Sequence, residues 1–230
     1  MIPALILYLI KQFKRKSNSS KNSNAIKRLS AKLKSILFLV AITSFFAFTN
    51  IEERKALTYN ILKNNKVIGV IKIDKSALAD SVVYTLESEI KAKFLFKFNI
   101  TGKEKSIYRN GKLVYSSVFR TLNKKPKTNH EIVLKDGKYQ LHSSKTLQNL
   151  ELDLVKQNLI TLYFKEPIGV TSIFCDNLMK TVLIKSLGNS KYKVDFSNGK
   201  YNVFHYKDGK CIKIEAVSTL FSVTLIPTIL

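Results

Sequence analysis

Three histidines, two cysteines and sixteen carboxylates carry whatever acid–base, nucleophilic or metal chemistry this 230-residue chain can do. His130 lies in T-N-H-E, His142 in Q-L-H-S-S and His205 in F-H-Y. No pair has the H-x-H or H-E-x-x-H spacing that would put two imidazoles on one zinc ion, so no metal site is expected. There is no G-x-S-x-G and no glycine-rich phosphate loop, and nothing in the sequence implies a cofactor. Glu166 in Y-F-K-E-P and Asp176 in F-C-D-N stand ten residues apart, and with His205 they form the set a hydrolase acting on an envelope polymer would use. That alternative requires all three to converge in one cleft. Singly, such carboxylates belong at turns, where they hydrogen-bond nearby backbone. Cys175 and Cys211 are the only thiols. In an oxidising compartment they would close a loop whose bridge contributes about 3–4 kcal/mol in the chain-entropy view; two reduced cysteines fit the sequence equally well. The chain reads as non-enzymatic.

A second group of residues suggests binding. From Val82 to Ile100 every second residue is apolar or small, while the positions between are mostly polar. Period 2 held for nineteen residues predicts a strand with one buried face. At ~3.3 Å per residue it would span about 60 Å, so it must bend around a core or break near Ala92 while keeping phase. Phe94, Phe96 and Phe98, with Tyr84 and Tyr115 as neighbours, are the candidate ligand-binding residues. They would present an aromatic concave face to an apolar or lipid-like molecule or to an envelope protein partner; packing as ordinary core is the plainer role for each.

The elements that would carry them are hairpins. Asn110-Gly111, Asp136-Gly137, Asn198-Gly199 and Asp208-Gly209 sit between alternating runs, and these pairs suit two-residue hairpin loops, whose central residues need positive φ. Asn64-Asn65 reads the same way. The turn glycines are separated by 26, 62 and 10 residues, and without a fixed period they mark corners of a meander rather than a repeat. Leu113, Tyr115 and Phe119 are read on one face, and Ile212, Ile214 and Ala216 opposite Cys211. Between Leu147 and Phe164 the spacing of Leu152, Val155, Leu159, Leu162 and Tyr163 predicts a short helix, ended by Pro167 and packed on the concave face. The expected fold is mainly β: one strongly curved antiparallel sheet, half-barrel-like, with that helix inside and an apolar helix near the amino terminus.

The amino terminus predicts export. Residues 1–49 hold nine Lys or Arg and no acid. Within them Lys32-Leu33-Lys34 precedes the apolar run 35–48, the pattern of a signal peptide, although the run is shorter than the roughly 20 residues of a membrane-spanning helix. Residues 1–34 read as a basic arm or an over-extended start, 35–50 as a signal peptide or anchor, and 51–230 as the exported β domain. Membrane contact through 35–51 follows only if the segment is uncleaved, and the expected location is the periplasm or cell envelope. The net charge of +23 comes almost wholly from lysine; after residue 50 the arginines are Arg54, Arg109 and Arg120. Lysine is a solvated point charge and lacks arginine's bidentate fork, so nucleic acid is not the expected partner; a basic face meeting anionic lipid headgroups is a third reading.

The segments T-Y-N-I-L-K-N-N-K-V-I-G, L-Y-F-K-E-P, Phe174 and Y-K-V-D-F-S-N-G-K-Y-N-V-F-H-Y-K-D-G-K-C resemble a group of exported β-rich proteins of Gram-negative bacteria. The resemblance implies a curved antiparallel sheet covered by a short helix, and it brings no assigned activity. The architecture is also distantly similar to the half-barrels of periplasmic lipoprotein carriers, a likeness of fold that by itself implies no function.

Overall fold

Left-handed two-residue turns reverse the chain so often that almost every strand pairs with the next one. The computed structural model is a single antiparallel sheet of 14 strands. It describes residues 53–93, 97–144, 146–197, 199–218 and 222–228, without the side chains of residues 78, 93 and 97. The basic arm, the apolar run expected to direct export, and the side chains of Phe94 and Phe96 lie outside the described residues.

In chain order the strands are β1 (Glu53–Lys63), β2 (Lys66–Leu78), β3 (Ser81–Lys93), β4 (Lys97–Arg109), β5 (Lys112–Leu122), β6 (Lys125–Lys135), β7 (Lys138–Ser143) and β8 (Leu147–Leu150). After a non-strand crossing come β9 (Ser172–Cys175), β10 (Lys180–Gly188), β11 (Lys191–Ser197), β12 (Lys200–Lys207), β13 (Lys210–Val217) and β14 (Ser222–Pro227). The sheet runs from β8 back to β1, then from β14 back to β9. The first and last strands therefore meet inside the sheet, with Tyr59 opposite Pro227 and Ile61 opposite Leu225. Both edges, β8 and β9, come from the middle of the chain, and they do not pair with each other, so the sheet curls without closing.

Asn64-Asn65, Asn110-Gly111, Asp136-Gly137 and Asp208-Gly209 all have positive φ, as their hairpin role requires. Asn123-Lys124 and Asn189-Ser190 do the same without glycine, because asparagine's short side chain tolerates the left-handed region. Gly69 serves another end: a Cβ there would lie 2.3 Å from the Glu89 carbonyl oxygen, so only glycine lets β2 approach β3 at that point.

Three expectations change. The nineteen-residue alternation is not one bent strand but the hairpin β3–β4. Ile90 pairs with Ile100 and Ala92 with Phe98. The pairing is symmetric about residue 95, so even-numbered residues of β3 and of β4 share the inner face and the phase survives from one strand to the next. On β5 a bulge opposite Ile107/Tyr108 shifts the alternation by one residue. Leu113, Ser116 and Val118 are then buried inside, while Tyr115 and Phe119 turn outward. A bulge at His205/Tyr206 likewise brings Cys211 inside with Ile214.

The predicted helix over 147–164 is the third. Leu147–Leu150 pair with β7 as β8, residues 151–157 form neither helix nor strand, and only Leu159–Tyr163 wind into a short 3-10 segment, η1. Tertiary contacts override the local 3.6-residue spacing. The Val155 amide donates to the Tyr139 hydroxyl oxygen, the Val155 carbonyl accepts from the Leu113 amide, and the Gln157 carbonyl accepts from the Phe174 amide. A helix would withdraw those backbone groups from the sheet. The crossing still fills the concave face, with Val155, Ile160 and Leu162 all below 9% exposed.

Candidate ligand-binding site

The interior divides into a sealed region and an open one. The sealed region is built on small polar side chains at inward positions of central strands. Ser106 on β4 stands directly opposite Ser116 on β5, and His130 on β6 lies beside them. Their small volume leaves room for η2 (Asp176–Leu178), the turn that follows edge strand β9. Asp176 enters that space. Ser116 donates to its Oδ1, and Asn158 Nδ2 donates to its Oδ2 at 2.8 Å and to Ser106 Oγ at 2.8 Å. His130 Nε2 meets the Asp176 carbonyl at 3.0 Å, and Thr161 donates to the Asn158 carbonyl at 2.7 Å. Asp176 is 4% exposed and Asn158 wholly buried. Burial pushes the Asp176 carboxyl up to about 6, with the nearby Glu104 charge adding to the rise and the Ser116 and Asn158 hydrogen bonds opposing it. This network ties edge strand β9 to the faces of β4, β5 and β6.

A serine, a histidine and an aspartate meet here, but not as a nucleophile and its base. Ser116 donates its hydrogen bond to the carboxylate, and His130 addresses a backbone carbonyl instead of the hydroxyl. The residues named for hydrolysis are not brought together either. Glu166 accepts from the Tyr192 hydroxyl at 2.9 Å, Asp176 is enclosed in the polar network, and His205 faces Glu215 at 3.3 Å on the opposite side of the sheet from Phe204 and Tyr206. Burial lowers the His205 pKa, while the Glu215 charge opposes that shift. Cys175 and Cys211 are both buried free thiols, pushed up by burial to about 11 and about 12, so they stay protonated near neutrality. Among the described residues no group of three His, Cys, Asp or Glu side chains is placed to hold a metal ion.

The aromatic candidates divide in the same way. Tyr84 is inside, edge-on to Tyr108 at 5.8 Å and 5.5 Å from Phe164, and with Val82, Tyr108 and Thr161 it lines a small pocket of about 190 Å³. Phe98 is partly buried beside Ala92. Tyr115 leaves the concave face altogether and stands on the outer side near Ser117 and Glu131.

The open region is lined by residues the sequence did not single out for ligand binding. Between β1, η1, β13 and the end of β14 lies a pocket of about 440 Å³ walled by Leu57, Tyr59, Tyr163, Phe164, Cys211 and Pro227. Tyr59 is fixed on its floor: its hydroxyl donates to the Cys211 carbonyl at 2.9 Å and its ring meets Tyr163 edge-on at 5.4 Å. Tyr163 in turn packs on Phe204 at 6.0 Å. Lys55, Asp208 and Lys210 lie at the rim. These residues come from four distant segments, so no local motif announces them; the one signal was the inward phase of Leu57, Tyr59 and Ile61 along β1.

The profile of the family described as a domain of unknown function, DUF6134, matches residues 59–228. No curated protein matches the sequence. Among solved structures the chain is similar to a β-barrel-like protein of the domain of unknown function DUF1849 from Brucella abortus, with 11% identity over 77% of this chain and 95% of that one and a TM-score of 0.48. The chain belongs to the DUF6134 family.

Proposed function

We propose that this member of the DUF6134 family is an exported, non-enzymatic binding domain that holds an apolar or amphipathic molecule on the inner side of its sheet. The observation that carries this reading is the pocket beneath β1 and β13. Its volume of about 440 Å³ lies within the roughly 300–1,000 Å³ of small-ligand sites, and its walls are mostly apolar and aromatic. Residues 151–164 lie over much of the rest of the concave face, with smaller or less apolar openings of about 190 and 470 Å³ beside them. A non-enzymatic role is supported by the dispersal of Glu166, Asp176 and His205 into three separate networks. Export is supported by the basic and apolar pattern of residues 32–48.

The test has two arms. Protein recovered from the envelope fraction of an expressing Gram-negative cell is extracted and analysed by mass spectrometry, and its mature amino terminus is sequenced. Co-purifying amphiphiles and a start near residue 50 are expected. Recovery wholly in the cytoplasm would overturn export, and a ligand-free protein whose tyrosine fluorescence ignores added fatty acid would overturn the binding role.

A further inference from the structure

We infer that the pocket beneath β1 and β13 selects a single-chain anionic amphiphile, such as a medium-chain fatty acid, and holds its acidic end between Lys55, Lys75 and Lys210. The inference rests on the binding role proposed above and adds the chemical class of the ligand.

Two lysines, Lys55 and Lys210, line the pocket, and a third, Lys75, stands beside the first. Lys55 on β1 pairs directly with Lys75 on β2. Residues directly opposite in an antiparallel pair share a face, and like charges so placed repel. They lie on the inner face, because Leu57 and Tyr59 follow Lys55 in phase, and Ile73 precedes Lys75. Lys210 approaches from β13, next to Cys211 on the floor. Among the described residues Asp208 is the one carboxylate lining the pocket, against two lining lysines and the neighbouring Lys75. An anion seated there relieves a repulsion that is built into the register of β1 and β2.

Below the rim the chemistry changes. The Tyr59 hydroxyl is already committed to the Cys211 carbonyl, the Cys211 thiol is protonated, and the remaining walls are Leu57, Tyr163, Phe164 and Pro227. A ligand body here gains by burying hydrocarbon. The volume of about 440 Å³ is in the range of small-ligand sites and gives room for a medium-length hydrocarbon chain. A charged end at the cationic rim and one hydrocarbon chain in the aromatic cavity describe a fatty-acid-like molecule.

The test compares laurate with dodecanol, which has the same chain length and no charge, binding to residues 50–230, which form one compact unit, after delipidation. Laurate is expected to bind at least tenfold more tightly. Lys55→Gln, Lys75→Gln and Lys210→Gln should each reduce laurate affinity several-fold and leave dodecanol unchanged, and rising salt should erode the laurate advantage. Leu57→Trp, which fills the cavity, should abolish binding of both probes while circular dichroism and urea midpoint stay close to wild type. If both probes bind equally and the lysine variants change nothing, the anionic selectivity is wrong while the binding role stands. If neither binds, the binding role fails as well. Undiminished binding of both probes to Leu57→Trp would place the site elsewhere and overturn the inference.

Discussion

The polar network around Asp176 and the aromatic pocket around Tyr59 lie under the same sheet, yet they solve opposite problems. In the first, small inward side chains on β4 and β5 make space that a carboxylate fills, and hydrogen bonds from Ser116 and Asn158 occupy both carboxylate oxygens. In the second, large inward rings on β1 and η1 hold one another apart and leave space unfilled. Space made by small residues was closed with polar contacts, whereas space framed by rigid rings stayed open. An interior is hollow where its walls cannot collapse, and edge-to-face rings anchored by a buried hydroxyl are such walls.

The largest effect should come from breaking the sealed side. Asn158→Ala removes the amide that bonds both Asp176 and Ser106, and leaves a buried carboxylate short of a donor. A loss of about 3 kcal/mol is expected from urea unfolding, with early proteolysis near β9. A loss near zero would mean that the network is not closed.

Filling each region sharpens the contrast. Val118→Phe inserts a ring beside Asp176's neighbours, where Val118 has no exposed surface, and should cost about 1–3 kcal/mol. Leu57→Phe adds similar bulk facing the pocket and should cost under about 1 kcal/mol by the same measurement. Equal costs would remove the distinction between closed and open interior.

The comparison also has a pH dependence. Asp176 holds its proton more tightly when folded, at about 6 against an ordinary 3.8. Its contribution is therefore full below 3.8 and is lost as pH rises through about 6. His205 and Glu215 oppose this, because both are held below their ordinary values when folded and their contributions fade on acidification. The useful quantity is the difference between wild type and Asp176→Asn in urea midpoint from pH 4 to pH 7. That difference should shift in favour of wild type as pH falls, and a flat difference would show that Asp176 titrates as an ordinary carboxylate.

Much of the meander was legible because turns and strands are local. Asn-Gly and Asp-Gly pairs mark chain reversals through one residue's backbone freedom, and period 2 marks a buried face. The hairpin between β3 and β4 escaped because K-F-L-F-K contains no turn residue and its symmetric reversal keeps the inner phase. Tyr115 was placed on the wrong face because a bulge is one extra residue with no composition of its own. Residues 151–164 read as helix because apolar spacing is local, while the partners that hold them out of a helix, Tyr139, Leu113 and Phe174, are distant. Ser106, Ser116 and Asn158 gave no signal at all, since a serine pointing inward looks in sequence like one facing water.

The pairing of β1 with β14 has a consequence for how the molecule is made. The strand that leaves the ribosome first in this domain finds its second neighbour only when residues 224–227 emerge. Until then β1 presents an open row of amides and carbonyls with T-Y-N-I-L along it, an invitation to mispair with other chains. Contacts so far apart in sequence also form slowly. In this domain β14 completes the fold and shields β1 in one event, so a truncation that removes β14 should leave a protein that aggregates rather than one merely less stable.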